Sequence, residues 1–418
     1  MSITSPRGTQ DILPGVVHKF QYVEDTFRQM CHKFGYHEIR TPVFEHTELF
    51  LRGVGETTDI VQKEMYTFED RGGRSLTLKA EGTAPVARAH IEHKLHGQTQ
   101  PIKVYYITPV FRYERPQAGR YRQHEQCGVE VFGAASPQAD AEVIILADTF
   151  YRALGLSKFE LSINSVGCPE CRVTHRATLQ EALRPVLHEL CDDCRGRFER
   201  NPMRILDCKN QTCQLHTAHA PTTRDTLCPA CEDHHAKVRE LLTSAAVQYA
   251  ENPRLVRGLD YYTRTAFEFL SVGIGAQSAI GGGGRYDGLM ESVGGQPTPG
   301  VGFGLGVERI LLALEMEGVE IPEPPGVHVF AIGLGEAAAR YTFSLVQDLR
   351  RAGIPAETDL LERSLKAQLK YAAKINAKQV VIIGESELEK QVAIVRDMAG
   401  GEQKEVPLAA LMESLKSN

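Results

Sequence analysis

The chain has 418 residues, 42% of them hydrophobic and 24% charged, which is an ordinary composition for a globular protein of two or three domains. A formal net charge of −6 gives no global sign of nucleic-acid binding, although a local basic surface is enough for such binding. No apolar run approaches the roughly 20 residues that span a bilayer, and the first residues lack the pattern of a signal peptide. The sequence therefore predicts a cytoplasmic protein with no membrane association.

The elements predicted in chain order indicate an α+β domain over residues 1–322. Strands are predicted over 37–46, 101–114, 126–133, 158–167 and 254–270, and helices over 18–34 and 138–154. Residues 281–284 are four glycines and predict a tight turn, after which 300–315 predicts a strand followed by a helix. This order is typical of an antiparallel sheet flanked by helices.

A cysteine-rich insertion interrupts this domain at about residues 168–250. The pairs are Cys168/Cys171, Cys191/Cys194, Cys208/Cys213 and Cys228/Cys231. Such spacing suits tetrahedral zinc, with Cys191/Cys194 and Cys228/Cys231 as the most ribbon-like combination, whereas disulfides are disfavoured in a cytosolic chain. A reduced, metal-free helical insertion is the alternative, and the spacing leaves both open.

Beyond the linker at 322–326, residues 327–418 predict a small α/β domain with a mostly parallel sheet. Lys366, Lys370, Lys374 and Lys378 recur every fourth residue, which places them on one face of a helix. A basic stripe of this kind is either a solvated face or an RNA contact.

The predicted hairpin over 101–133 places charged groups on neighbouring strands. Arg112 and Glu114 project from one strand, and Gln126 and Glu130 share a face of the next. A guanidinium presents the planar fork of donors that a phosphate accepts, and the acid and amide suit a small polar ligand. A solvent-facing surface with cross-strand ion pairs explains the same pattern.

The hairpin loop and two glycine-containing segments hold further candidates. Arg115 and Gln117 lie in the loop, which either contacts a nucleic-acid backbone or is a solvated turn. Glu81 either accepts from a substrate ammonium or belongs to a helix N-terminus that Thr83 caps. Glycines along 300–306 leave room for a planar or phosphorylated ligand, which Arg309 contacts from the start of a helix.

Five segments together resemble bacterial histidyl-tRNA synthetases, which are class II aminoacyl-tRNA synthetases. They are "RGTQDILP", "EGTAP", "FRYERPQAGRYRQHEQ", "RGLDYYTRTAFEF" and "GVGFGLGVERI". The resemblance runs from about residue 5 to about residue 410. It implies a class II catalytic domain over 1–322, an anticodon-binding domain over 327–418 and a homodimer. It also implies ATP, Mg²⁺, L-histidine and tRNA(His) as cofactor and partners.

Matching motif positions imply the roles of the ATP-binding residues. Arg112 and Glu114 belong to motif 2, and Arg309 belongs to motif 3 at the γ-phosphate end. Arg257 of "RGLDYY" contacts the α-phosphate, where other class II enzymes rely more on a metal ion. Arg112 and Arg257 are thereby implied as the catalytic residues, and no residue is assigned to a metal.

The same matching implies a histidine pocket. Glu81 and Thr83 bind the substrate ammonium, and the ring is surrounded by Gln126, Glu130 and Tyr262, with Tyr286 close by. Arg115, Gln117, Lys366 and Lys370 are the candidates for tRNA contacts. The chain departs from the family at His124, where an aromatic residue usually lies near adenine, and the metal status of the insertion does not transfer.

Two other protein classes compete with this interpretation. The regulatory subunit of ATP phosphoribosyltransferase shares the catalytic fold but typically lacks the anticodon-binding domain. A zinc-ribbon nucleic-acid-binding protein accounts for the cysteines alone and leaves the arginines and glycines unexplained.

Overall fold

The computed structural model describes residues 3–56, 58–273 and 279–416. The chain divides into two units, Met1–Ile321 and Pro322–Asn418. Among the described residues, no helix combines the length and the apolar character that crossing a membrane requires.

The first unit contains a large sheet and a small one. Its strands are β1 His37–Glu38, β2 Phe44–His46, β3 Thr67–Glu69, β4 Ser75–Leu78, β5 Ile102–Phe111, β6 Gln123–Phe132, β7 Phe159–Ser165, β8 Ala250–Glu251, β9 Thr263–Ser271, β10 Ala279–Arg285 and β11 Gly300–Gly306. The large sheet has the order β1-β5-β6-β11-β10-β9-β7-β8, and β2-β4-β3 form the small one. The six inner strands of the large sheet run antiparallel, and β1 and β8 add parallel edges.

Ten α-helices are described in this unit. They are α1 Pro14–Lys33, α2 Thr47–Val54, α3 Thr83–Glu92, α4 Pro137–Ala153, α5 Pro169–Leu183, α6 Asp192–Arg200, α7 Gln211–His216, α8 Pro229–Ser244, α9 Leu289–Ser292 and α10 Val307–Glu317. Phe27 of α1 and Phe150 of α4 meet edge to face with their ring centroids 5.2 Å apart, and both rings are fully buried. The predicted α+β class with an antiparallel sheet is confirmed.

The strand predicted over 37–46 is wrong as a single element. His37 and Glu38 pair with β5 of the large sheet, whereas Phe44–His46 pairs with β4 of the small sheet. Pro42 lies between the two strands and has no N–H to donate to a ladder, so pairing stops there.

The structure also reverses two predictions around the glycines. Residues 281–284 do not form a turn but lie inside β10, between β9 and β11. A Cβ on Gly282 would lie 2.7 Å from the oxygen of Phe267, so close strand approach demands glycine here. Conversely, 254–262 is irregular, and the strand predicted over 254–270 begins only at Thr263.

The cysteine-rich segment is helical, as predicted. Residues from α5 to α7 and the turns between them share a small apolar core around Leu179, Phe198 and Ile205. The last helix, α8, instead contributes Val238 and Leu242 to the main core of the first unit. The expected combination of Cys191/Cys194 with Cys228/Cys231 is wrong, because Cys168/Cys171 meets Cys228/Cys231 and Cys191/Cys194 meets Cys208/Cys213.

The second unit has one sheet with helices around it. Its elements are β12 Val329–Gly333, α11 Glu336–Arg351, β13 Ala356–Thr358, α12 Leu365–Lys374, β14 Gln379–Ile383, α13 Glu385–Glu389, β15 Val392–Asp397, β16 Gln403–Pro407 and α14 Leu408–Lys416. The order is β13-β12-β14-β15-β16, with two parallel pairs followed by two antiparallel pairs. The prediction of a mostly parallel sheet is wrong, because β15 and β16 form a hairpin that turns at Gly401 with φ +75°.

Candidate active site

A cleft of about 230 Å³ opens in the first unit above β6, β10 and β11. Nine of the residues singled out in the sequence line it: Glu81, Thr83, Arg112, Glu114, His124, Gln126, Arg257, Tyr262 and Arg309. They come from segments far apart in the chain, and the antiparallel sheet brings those segments together. With Arg120, which also lines it, the cleft combines four guanidinium groups with carboxylate, hydroxyl and amide groups.

Arg112 follows β5 and is held by a main-chain contact. Its Nε donates to the oxygen of Ala80 at 2.8 Å, and its Nη1 lies 4.0 Å from Glu114 Oε1. Arg120 Nη1 donates to the other Glu114 oxygen at 2.8 Å. A bond to a neutral carbonyl orients the Arg112 guanidinium without neutralising its charge, so it remains suited to an anionic ligand.

Arg257 lies across the glycines of β10. Its Nη1 donates to Glu268 Oε1 at 2.8 Å, and its guanidinium carbon is 5.7 Å from the centroid of the Tyr262 ring. The side chain is only 18% exposed. A Cβ on Gly282 would lie 2.7 Å from Arg257 Nη1, so this glycine makes room for the arginine. Arg257 is thus a fixed cation in the cleft wall and not an ordinary surface charge.

Arg309 lies in the first turn of α10 and lines the same cleft as Arg112 and Arg257. Burial, together with the neighbouring charge of Arg120, lowers the pKa of Arg309 below its usual value. Crowding of positive charge of this kind is relieved when an anion binds between the guanidinium groups.

Glu81 caps the N-terminus of α3. Its two carboxylate oxygens accept from the backbone N–H groups of Thr83 at 2.9 Å and Ala84 at 2.7 Å. The alternative of a Thr83 cap is wrong, because Thr83 is the first helical residue and has no capping bond. Burial raises the pKa of Glu81 above its usual value.

Gln126 borders the cleft beside α3. Its Oε1 accepts from the backbone N–H of Gly82 at 2.9 Å. Gly304 lies on the neighbouring strand, paired with Gly128, and a Cβ there would collide with the Gln126 amide. The glycines of β10 and β11 thus make room for the site's own side chains as well as for a ligand.

Glu130 and Tyr286 are buried and do not line the cleft. The Tyr286 hydroxyl donates to Glu130 Oε2, and the Tyr106 hydroxyl donates to Oε1 at 3.2 Å. Burial raises the pKa of Glu130 to about 8, although the two hydroxyl groups stabilise its charged form. Glu130 therefore forms a polar group just behind the cleft wall.

His124 lines the cleft beside Arg112. Burial, reinforced by the positive charge of Arg112, lowers the pKa of His124 to about 3. The imidazole is consequently neutral at physiological pH, and its ring is available as a flat, uncharged surface.

Comparison with known proteins decides the family. Residues 8–310 match the family model described as histidyl-tRNA synthetase, and 327–418 match an anticodon binding domain. The chain belongs to the histidyl-tRNA synthetase family.

Relatives match this synthetase chain over its whole length. The histidine–tRNA ligase of Desulforamulus reducens is 58% identical over 417 residues, covering 100% of both chains. That of Caldanaerobacter subterraneus is 55% identical with the same coverage. The crystal structure of apo histidyl-tRNA synthetase from S. aureus has a TM-score of 0.86 at 41% identity, covering 100% of both chains. Class II synthetases in general use ATP and Mg²⁺.

The residues suggested for tRNA lie outside the cleft. Arg115 and Gln117 are exposed in the loop between β5 and β6. Lys366 and Lys370 are exposed on α12 in the second unit, together with Lys374. Lys378 lies beyond the end of that helix, so the four-lysine helical stripe is wrong at its last member.

Sequence reasoning gave no role to several groups that this synthetase site brings together. Glu268 pairs with Arg257, and the Tyr261 hydroxyl reaches Glu81 Oε2 at 3.5 Å. Glu308 lines the cleft and accepts from the N–H of Glu125 at 3.1 Å, and burial raises its pKa to about 7. All three lie inside segments that carry the resemblance: Tyr261 and Glu268 in "RGLDYYTRTAFEF" and Glu308 in "GVGFGLGVERI".

Proposed function

We propose that the protein activates L-histidine with ATP to form histidyl-adenylate and transfers the histidyl group to the 3′ end of tRNA(His), releasing AMP and diphosphate. The observation that carries the proposal is the joint placement of Arg112, Arg257 and Arg309 with Glu81 and Thr83 in one cleft. Fixed guanidinium groups suit a polyphosphate, and the carboxylate and hydroxyl suit an α-ammonium group.

Adenylate formation is an in-line attack of the histidine carboxylate on the α-phosphorus of ATP. Negative charge accumulates on the α-phosphate oxygens, where Arg112 and Arg257 stabilise it from positions set before binding. Arg309 binds the γ-phosphate end and orients the departing diphosphate. Arg120 donates to Glu114, and both side chains line the cleft together with Arg309.

Magnesium bound to the outer phosphates would supply charge neutralisation that assists diphosphate departure. Glu114 and Glu308 line the cleft with Arg309, and carboxylate and phosphate oxygens are the ligands that Mg²⁺ takes. These two side chains are therefore the candidates to hold it.

Histidine recognition uses the polar groups at the other end of the cleft. Glu81 and Thr83 bind the ammonium, and Gln126 and Tyr262 face the ring, with Glu130 and Tyr286 behind them. A neutral imidazole presents one donor and one acceptor, which carboxylate, amide and phenol groups can satisfy. An apolar analogue would leave these groups unpaired and would be rejected. The neutral ring of His124 is assigned to stacking on adenine.

A homodimer is proposed on the small sheet of the first unit. Phe44 faces Leu78, and Phe68 faces Leu76, so the four side chains share one face because Leu76 and Leu78 are two residues apart. Phe44 is 51% exposed and Phe68 is 44% exposed. An exposed apolar face on a cytoplasmic protein is suited to covering by a second copy.

Histidine-dependent exchange of labelled diphosphate into ATP tests the first half-reaction. The purified protein is expected to catalyse it with L-histidine and not with phenylalanine. A folded protein that shows no exchange at saturating histidine and ATP contradicts the proposal. The regulatory-subunit alternative predicts that outcome, but it leaves the match of 327–418 to an anticodon binding domain unexplained.

Charge reversal on α12 tests the proposed tRNA contact. The double variant Lys366→Glu, Lys370→Glu is expected to lower kcat/KM for tRNA(His) by about tenfold or more, because each lysine lost weakens phosphate binding. Diphosphate exchange should stay unchanged. The matched control is Lys390→Glu, Lys404→Glu, which changes the same charge at exposed positions of the same unit. If both double variants have the same kcat/KM for tRNA(His), α12 does not contact the tRNA.

A further inference from the structure

Eight cysteines of the insertion form two four-thiol clusters. The first cluster comprises Cys168, Cys171, Cys228 and Cys231. The second cluster comprises Cys191, Cys194, Cys208 and Cys213. Within each, the four sulfur atoms lie within 4.8 Å of one another. We propose that each cluster binds one zinc ion, so that the chain carries two structural tetrathiolate sites.

The sulfur separations fit this metal. Sγ of Cys168 lies 3.5 Å from that of Cys171 and 4.0 Å from that of Cys228. In the second cluster, Cys191 Sγ and Cys208 Sγ are 3.9 Å apart. Zn–S bonds of about 2.3 Å in a tetrahedron give sulfur separations of about 3.8 Å. A disulfide needs about 2.05 Å, and all ten cysteines are free.

The backbone around the clusters is arranged for thiolates. Cys168, Cys191 and Cys228 each immediately precede a helix whose first turn supplies the next cysteine of the pair. The N–H of Cys228 donates to Cys171 Sγ at 3.1 Å, and that of Cys191 donates to Cys213 Sγ at 3.2 Å. Helix N-termini and N–H donors both stabilise negative charge on sulfur.

A glycine allows the first cluster to close against the main sheet. Gly167 has φ +71°, and a Cβ there would lie 2.5 Å from Cys171 Cβ. The backbone oxygen of Gly167 accepts from the N–H of Arg264 in β9 at 2.8 Å. The metal site is therefore attached directly to the start of the strand that follows the "RGLDYY" segment.

A residue next to the first cluster hydrogen-bonds to the backbone of the "RGLDYY" segment. Arg172, adjacent to Cys171, donates from Nη1 to the oxygens of Asp260 at 3.1 Å and Tyr262 at 3.2 Å. Helix α6 begins at the second cluster, and Asn201, which follows the last turn of α6, donates from Nδ2 to Asp260 Oδ1 at 2.6 Å. Zinc would thus fix the backbone that carries Arg257 and Tyr262. This consequence rests on the proposed function, whereas zinc content does not.

Elemental analysis of the purified full-length protein tests the proposal. Two equivalents of zinc per chain are expected. Cys168→Ser, Cys171→Ser should retain one equivalent, as should Cys191→Ser, Cys194→Ser. The matched control is Cys31→Ala, Cys127→Ala, which removes two buried cysteines outside the clusters and should retain both equivalents. Zinc below a tenth of an equivalent, or iron in place of zinc, overturns the proposal.

Cobalt substitution covers the case in which the serine variants fail to fold. Wild-type protein produced with cobalt should show the strong absorption bands of tetrahedral cobalt thiolates at two equivalents, and zinc should abolish them. Absence of those bands, with eight thiols reacting freely, overturns the proposal.

The variant Arg172→Ala tests the link between the first cluster and the active site. It should retain both zinc ions and raise KM for histidine by about tenfold. Full zinc with unchanged KM contradicts only this link and not the two zinc sites.

Discussion

Replacing Arg257 with alanine is expected to lower histidine-dependent diphosphate exchange by about 10²–10³-fold, the usual effect of removing one fixed donor to developing charge. Arg257 is largely buried, is positioned by its 2.8 Å bond to Glu268, and shares the cleft with Arg112. Histidine binding should survive, because the ammonium and ring contacts are assigned to other residues. Exchange kinetics and calorimetric titration with histidine measure the two effects separately.

Two further variants distinguish phosphate binding by Arg257 from structural support. Arg257→Lys keeps the charge but loses the planar fork, so it should recover only part of the activity. Arg257→Ala leaves Glu268 as a partly buried carboxylate without its ion-pair partner. The double variant Arg257→Ala, Glu268→Ala removes that unpaired carboxylate as well. If the double variant recovers exchange, the arginine acts through Glu268 and not on the phosphate.

Glu130→Gln is expected to impair histidine activation and to stabilise the folded protein at alkaline pH. Glu130 is fully buried, and burial raises its pKa from 4.5 to about 8. Between these two values the folded chain retains a proton that the unfolded chain releases. The free energy of unfolding therefore falls as pH rises through this window, by an amount on the order of a few kcal/mol. Glutamine does not ionise, so the variant does not lose this stability as the pH rises.

Denaturant unfolding of both proteins at about pH 5 and pH 8.5 measures this effect. The difference in unfolding free energy between variant and wild type should grow with pH in favour of the variant. Glu125 and Glu308 also have pKa values raised to about 7, but they are present in both proteins and cancel in the difference. A difference that stays constant with pH contradicts the assignment.

The catalytic effect of Glu130→Gln is measured separately by diphosphate exchange. KM for histidine should rise by about 10–100-fold, because an amide replaces the carboxyl group that accepts from Tyr286 and Tyr106 behind the ring. KM for ATP should be unchanged. Equal effects on both substrates would indicate a general disturbance of the cleft.

Motif arguments identified the cleft because its segments have local signatures. Gln126 lies on β6, and Arg112 directly follows the adjacent strand β5. One loop joins the two strands, and the hairpin pairs Thr108 with Gln126 as expected from an antiparallel turn. Arg309 follows a strand that ends where its helix begins. Short connections of this kind leave few alternatives for the local geometry, whereas the choice between a ligand site and a solvated surface came from the family resemblance.

Two of the wrong predictions depended on distant parts of the chain. The glycines at 281–284 have the composition of a turn, but β9 and β11 on either side hold them in a strand. The cysteine pairs are close in sequence, yet Cys168 meets Cys228 only because α5 and α8 begin at the same point in space. Spacing along a chain does not determine which pairs will meet.

The sequence by itself determined the family and the antiparallel class of the catalytic sheet, because these follow from contiguous motifs. It also singled out Arg112, Arg257 and Arg309, which line one cleft in the structure. Only the tertiary structure decided three features. Arg257 lies in an irregular segment before β9 and packs across Gly282, Glu130 is buried behind the cleft wall, and the cysteines pair into two particular clusters. Each of these depends on close packing between segments that are tens to hundreds of residues apart in the chain. At such contacts a missing side chain, as at Gly282, leaves space that a group from a distant segment fills.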